Sequence, residues 1–180
     1  MTLKETPLQG LLILQPTVHS DDRGYFFESF RASLLEAHGY DLRFVQDNES
    51  KSNKGAVRGL HLQAPPFGQD KLLRVVRGSI YDVAVDVRKD SPTYGKHFGI
   101  ELNEENKTTL FIPQGFAHGF CCLEDNSIVQ YKCSNYYDKA SECGIAWDDP
   151  AIGIEWPVRD PIVSEKDAVL PRLADFNSPF

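Results

Sequence analysis

No stretch of the 180-residue sequence is apolar for long enough to cross a bilayer as a helix, and Met1 to Gln9 lack the basic-then-apolar layout of a secretory signal. Positive charge is in deficit. The chain has 19 Lys and Arg against 26 Asp and Glu, a net charge of −7 with a sequence pI near 5.2. Binding to nucleic acid or to an anionic membrane relies on a basic field, so neither is expected as a partner. Cysteine is scarce, and Cys121, Cys122, Cys133 and Cys143 form no CxxC pair, which argues against zinc ribbons and thioredoxin-type redox chemistry. Reduced, buried thiols in a cytoplasmic protein are expected instead. Nothing repeats at a fixed period, and no low-complexity segment interrupts the chain.

What is present is an ordinary globular composition, 41% apolar and 25% charged. The length predicts one domain, with a core over about residues 10–147 and a C-terminal arm over about 148–180. From Leu11 to Trp156 the chain reads as short strands separated by turn residues. One helix is predicted over Ala32 to His38, with Gly39 as its C-terminal cap. Arg77-Gly78 turns between Lys71–Val76 and Ser79–Arg88, and a further hairpin is expected from Phe98–Leu102 into Thr108–Ile112. In Ser79–Arg88 the residues Tyr81, Val83, Val85 and Val87 alternate with Asp82, Ala84 and Asp86, so that strand should border a packed core on one face and a polar space on the other. Strands at this spacing favour a sandwich or barrel. Pro150, Pro157, Pro161 and Pro171 make the tail a wrapping arm, with a short helical piece near Ser164–Asp167 that Ser164 could cap.

Two segments carry candidate chemistry. In Arg58-Gly59-Leu60-His61-Leu62-Gln63, regular alternation groups His61 with Gly59 and Gln63, and a bulge at Gly59 would change that grouping. A histidine here serves equally well as a packed, hydrogen-bonded residue. In Pro113-Gln114-Gly115-Phe116-Ala117-His118-Gly119, a turn delivers His118 onto a strand. PxGxxH in an all-β chain resembles the second half of the cupin signature, whose fold is a jelly roll. The first half needs HxH followed by Glu and Gly, and His61-Leu62-Gln63 does not provide it. Two histidines without a local carboxylate fall short of a non-haem iron or manganese shell, so no metal is expected. Arg58 and Lys71 lie near His61 on strands that could line one cavity. A base beside a fixed cation is what proton abstraction next to a carbonyl requires. An acid on the other side would turn proton exchange into inversion, and Tyr131, Tyr136 and Tyr137 are the candidates, though tyrosines on a strand also serve simply to pack.

Taken in order along the chain, Asp22-Arg23-Gly24, Phe26-Phe27-Glu28-Ser29, Phe44-Val45-Gln46-Asp47-Asn48, Arg58 to Gln63, Asp82 to Arg88, Ile112 to Phe120, Tyr131-Lys132, Asn135-Tyr136-Tyr137, Ile152 to Pro157 and Ser164-Glu165-Lys166-Asp167 together resemble the dTDP-4-dehydrorhamnose 3,5-epimerase family. The resemblance implies an all-β, jelly-roll or cupin-like β-sandwich with a few short helices and no cofactor. It implies His61 as base, oriented by Asp167, with Lys71 near the 4-keto oxygen and Tyr131 as proton donor. Substrate contacts would fall to Arg23, Glu28, Gln46, Asp47, Asn48, Arg58, Lys71, His118, Glu142 and Lys166, with Tyr137 stacking on the thymine. The partners implied are a dTDP-sugar and a second copy in a homodimer, with the apolar strand Leu11–Leu14 as an expected dimer element. A relative that inverts only one carbon would share these residues, and the sequence alone leaves that open.

Overall fold

A computed structural model describes Met1–Phe180 and shows why alternation rather than helical period dominates this sequence: two sheets face each other, and successive residues of a strand point to opposite faces. The strands are β1 (Thr2–Glu5), β2 (Leu12–Gln15), β3 (Val18–Asp21), β4 (Gly24–Phe27), β5 (Gln46–Ser52), β6 (Ala56–Gln63), β7 (Lys71–Arg77), β8 (Ser79–Asp86), β9 (His97–Asn103), β10 (Thr109–Ile112), β11 (Phe116–Cys122), β12 (Ser127–Cys133), β13 (Glu142–Gly144) and β14 (Ile162–Val163). The first sheet runs β1-β2-β10-β7-β12-β5, and the second runs β13-β6-β11-β8-β9. β14 adds to β6 in parallel, while β3 and β4 form a separate two-stranded hairpin. No helix is long and apolar enough to cross a membrane.

The turns at Arg77-Gly78 and at Asn103–Asn106 do not make hairpins, contrary to expectation. β7 and β10 belong to the first sheet, β8 and β9 to the second, so each turn carries the chain across the sandwich. Gly78 makes its crossing at φ +76°, where a side chain would be strained. At the second crossing the Asn103 side chain accepts from the backbone N–H groups of Glu105 and Asn106, closing the arch locally.

Burial falls in three layers. Between the sheets pack Leu11, Leu73, Val75, Ile80, Ala84, Leu102, Leu110, Phe116 and Phe120. The outer face of the second sheet, with Leu60, Leu62, Val83, Val85 and Val87, is covered by Ile152, Trp156, Leu173, Phe176 and Phe180 of the C-terminal arm. Burying this face stabilises the arm at about 25 cal/mol per Å² of apolar surface. The outer face of the first sheet carries Leu12, Leu14, Leu72 and Phe111 under Leu35, Tyr40 and Phe44. Leu35 comes from α1 (Ala32–Glu36), which is shorter than expected. Gly39 ends the turn at φ +87°, and the Tyr40 N–H reaches back to the Leu35 carbonyl as in a Schellman cap. Leu11, Leu12 and Leu14 are buried within their own chain and only Ile13 of that run is partly exposed, so the strand has little apolar surface left for the dimer contact expected of it.

The valine face of β8 therefore meets the arm, and its carboxylate face points inward. Both carboxylates on that face are buried. Asp86 accepts from Arg88 Nε at 2.8 Å and Nη2 at 2.7 Å, and from the Ser91 and Thr93 hydroxyls. Burial pushes Asp86 upward, but Arg88, Ser91 and Thr93 outweigh it and hold its carboxyl at about 2, below the ordinary 3.8. The depressed value means stability that is present above the unfolded pKa and lost as pH falls through about 2. Asp86→Asn should destabilise the fold by on the order of 2 kcal/mol at neutral pH. In urea titrations the gap from wild type should close as pH falls below 4; a gap independent of pH would contradict the account.

Candidate active site

Between the sheets, bordering the apolar layer at Phe120 and Tyr131, lies a cavity of about 510 Å³ lined also by Arg58, His61, Lys71, His118, Lys166 and Asp167. It adjoins a second lobe of about 380 Å³ that shares His61, Lys71 and Tyr131 and adds Gln46, Asn48, Tyr137 and Glu142. The second sheet supplies His61 and His118; the first supplies Lys71 and Tyr131. Imidazole and phenol thus stand on opposite walls of one space.

A bulge brings Arg58 and His61 to the same face. In the β6·β11 pairing His61 lies opposite His118 and Arg58 opposite Phe120, so Gly59 and Leu60 together face the single residue Gly119. Gly59 sits at φ +127°, and a Cβ there would stand 2.6 Å from the Gly119 Cα, so only glycine fits this crossing. The extra residue turns His61 toward the cavity beside Arg58 while Leu60 and Leu62 pack under the arm. Regular alternation would have put Arg58 with the leucines.

The arm closes the site. His61 Nε2 lies 2.7 Å from Asp167 Oδ1, and the Gly59 backbone N–H donates to the other Asp167 oxygen at 3.1 Å. Asp167 begins the 3-10 turn Asp167–Val169, whose N-cap position is Lys166 rather than the expected Ser164, and the Asp167 N–H donates to the Ser164 hydroxyl just ahead of the turn. Burial lowers the His61 pKa below 6.5; Asp167 pulls it back up, while Lys71 and Lys166 push it further down. An imidazole of lowered pKa is neutral near pH 7, the state a base needs. Tyr131 moves the other way. Burial and then the Cys133 side chain raise it above 10, opposed by Asn48 and Arg58, and this keeps the phenol protonated as an acid must be. Lys71, whose Nζ stands 3.5 Å from the His61 carbonyl oxygen, is lowered by burial.

In the second lobe the Tyr137 hydroxyl donates to Glu142 at 2.9 Å, and Lys166 pairs with the same carboxylate. Asp47 is not brought there. It lies between Gln46 and Asn48 on β5, so strand alternation turns its side chain to the outer face, where it pairs with Lys132 at 3.0 Å. Arg23 and Glu28 are also absent from both lobes. Arg23 sits in the β3–β4 turn paired with Asp21, and Glu28 pairs with Arg31 at 2.8 Å. Ser50 was missed by sequence reasoning, though alternation from Gln46 and Asn48 already puts it on the inner face; its Oγ is buried at the cavity wall without a partner. Asp82, which hydrogen-bonds His118, was missed as a site residue as well. No three His, Cys, Asp or Glu side chains converge as a metal shell would. The four cysteines are unpaired, and burial pushes the Cys121 thiol up to about 11.

This arrangement can move protons on and off the two faces of a ring held between the sheets. Comparison with known proteins places it. The family model described as dTDP-4-dehydrorhamnose 3,5-epimerase matches residues 5–175. A dTDP-4-dehydrorhamnose 3,5-epimerase of Shigella flexneri is 52% identical over 168 residues, covering 93% of each chain. Among solved structures, the dTDP-4-dehydrorhamnose 3,5-epimerase of Elizabethkingia anophelis superposes with a TM-score of 0.95 at 44% identity, covering 99% of both chains. The dTDP-6-deoxy-D-glucose-3,5-epimerase of Legionella pneumophila, solved with dTDP-4-keto-L-rhamnose, superposes with a TM-score of 0.93 at 43% identity, covering 98% of this chain and 94% of that one. Sandwich, cavity and ordered motifs agree, and the chain belongs to the dTDP-4-dehydrorhamnose 3,5-epimerase family.

Proposed function

We propose that this chain inverts carbons 3 and 5 of dTDP-4-dehydro-6-deoxy-α-D-glucose to give dTDP-4-dehydro-β-L-rhamnose, a step of dTDP-L-rhamnose biosynthesis in the cytoplasm. The observation that carries the reading is the His61–Asp167 pair facing Tyr131 from the opposite sheet across one cavity. His61 takes the proton from the carbon beside the ketone. Lys71 stabilises the enolate oxygen, and Tyr131 returns a proton to the other face. The ketone at carbon 4 acidifies both neighbours, so one base–acid pair serves both inversions, and no redox partner is required. Arg58 and Lys166 supply the positive charge that a chain of net −7 cannot offer a diphosphate globally. Gln46, Asn48, Glu142 and Tyr137 form the nucleoside lobe, with Tyr137 under the thymine. In D₂O, NMR of the substrate should report deuterium at both carbon 3 and carbon 5. Label at one carbon identifies a mono-epimerase, and no label overturns the reading.

The acid limb of kcat/KM should lie below pH 6.5, because His61 must be neutral and burial lowers its pKa. Asp167→Asn removes the anion that favours the imidazolium, so the limb should move further down. The plateau should fall by roughly 10²-fold or more as the ring loses its tautomer. An acid limb above 6.5 would contradict the assignment of His61.

Arg23 and Glu28 would serve the neighbouring site of a homodimer. The β3–β4 hairpin that carries Arg23 exposes Tyr25 at 60% and Phe26 at 72%, the kind of apolar surface a partner covers. Mixing Arg23→Ala chains with His61→Ala chains should then restore about a quarter of wild-type activity, since half the random dimers hold one complete site. If Arg23 acts in its own chain, mixing restores nothing.

A further inference from the structure

The cavity holds a second imidazole–carboxylate pair that the base–acid assignment leaves unused. His118 Nε2 stands 2.9 and 3.1 Å from the two oxygens of Asp82, and both side chains are buried. The register explains the pairing. On β11, His118 lies opposite His61 of β6 on one side and opposite Ala84 of β8 on the other, so Asp82, two residues before Ala84, is its diagonal neighbour on the same face.

Asp82 differs from the other buried carboxylates. Asp86 gathers Arg88, Ser91 and Thr93; Asp70 gathers Gln114 and Ser134; Asp149 takes the N–H groups of Ala151 and Leu173. Each of those stitches a loop or the arm to the sandwich. Asp82 sits mid-strand and accepts hydrogen bonds from nothing but His118, on a strand already paired to its own, while the Lys71 ammonium of the facing sheet lies near enough to feel its charge. Desolvating a carboxylate is costly, and one imidazole on a strand already paired, with a cation that also faces the cavity, is a poor return in stability alone.

We propose that Asp82 is a positioning residue for the reaction: it holds the His118 proton on Nε2, and His118 Nδ1 accepts a hydrogen bond from a ring hydroxyl of the keto-sugar. The inference rests on the substrate reading above. A carboxylate only accepts, so the ring nitrogen facing it carries the hydrogen. In the tautomer with its hydrogen on Nε2, Nδ1 is bare and faces the cavity that His118 lines. In the 4-keto-6-deoxy sugar only carbons 2 and 3 keep hydroxyls, and these are the donors such a nitrogen can read. An acceptor fixed from the second sheet would hold the ring in register with the neighbouring His61. A site built to pair a hydroxyl discriminates strongly against analogues that lack it.

Asp82→Asn is the test, because the carboxamide keeps the shape but can donate to Nε2 and drive the proton to Nδ1. Long-range ¹H–¹⁵N spectra of the free wild-type enzyme should show His118 protonated at Nε2 and bare at Nδ1; Asp82→Asn should reverse this. The variant's kcat/KM should fall at least about tenfold, the loss of one hydrogen bond of roughly 1.4 kcal/mol, with the thermal midpoint held. On substrate analogues lacking the 2-hydroxyl or the 3-hydroxyl, wild type and variant should converge for one of the two. A wild-type His118 protonated at Nδ1 overturns the proposal, as does a variant with normal kcat/KM or an unchanged gap on both analogues. The tautomer is read without turnover, so a chain that exchanges no deuterium into the sugar would sink the substrate reading and leave the Asp82–His118 result legible.

Discussion

His61→Ala is expected to lower the rate of epimerisation by about 10²–10⁴-fold, the range for a positioned general base, and to abolish deuterium uptake at both carbons over the same time. Two features of the site set this expectation. Burial lowers the imidazole pKa, so the neutral base predominates near pH 7. The Asp167 carboxylate holds one nitrogen at 2.7 Å and leaves the other for the substrate. A free water in the space left by the ring lacks both the basicity and the orientation. The variant should still fold, since Asp167 keeps its hydrogen bond from Gly59 and the arm keeps its apolar packing on the second sheet. Dissociation constants for dTDP should change little, because Gln46, Asn48, Tyr137 and Glu142 of the second lobe, rather than His61, are the side chains proposed to hold the nucleoside. Near-normal turnover would remove His61 from the mechanism.

Tyr131→Phe separates exchange from inversion. The base on the second sheet remains, so a proton leaves the carbon beside the ketone and a deuteron from D₂O comes back to the same face. Inversion needs delivery from the opposite wall, and phenylalanine has nothing to deliver. Deuterium should therefore enter with configuration retained, while product formation falls by about 10²–10⁴-fold and KM stays close to wild type. The raised phenol pKa supports this role, since an acid that remains protonated through the neutral range is ready at the start of each cycle. Normal product formation, or a large loss of affinity with normal turnover, would place the donor elsewhere.

Much of this site was legible before any coordinates. The motifs from Arg58 to Gln63 and from Pro113 to Gly119 are local, and each puts its histidine on a strand within two residues of a glycine. Alternation along β5 predicts that Asp47 faces away from Gln46 and Asn48, so its misplacement was avoidable. The bulge was not. Gly59 is compatible with a regular strand, and only the close approach of Gly119 requires two residues to face one. The crossings after β7 and β9 were illegible for a similar reason. Alternation and turn residues read the same whether the next strand pairs beside the last or crosses to the facing sheet, because the choice depends on which distant strand offers a free edge.

The sequence by itself determined the β class, the histidine, tyrosine and basic side chains proposed for the chemistry, and the glycines that allow close contact. These are written in short stretches, where side-chain chemistry and strand period act over a few residues. Tertiary structure decided which of those residues meet. Asp167 reaches His61 across 106 positions only because the arm packs on the outer face of the second sheet, and Tyr131 opposes His61 only because β12 and β6 fall in different sheets. Arg23, in the β3–β4 turn, and Glu28, just after β4, lie outside the cavity because that hairpin pairs with neither sheet of the sandwich. Such meetings follow from burying separate apolar faces together, and no local pattern in the chain encodes the partner.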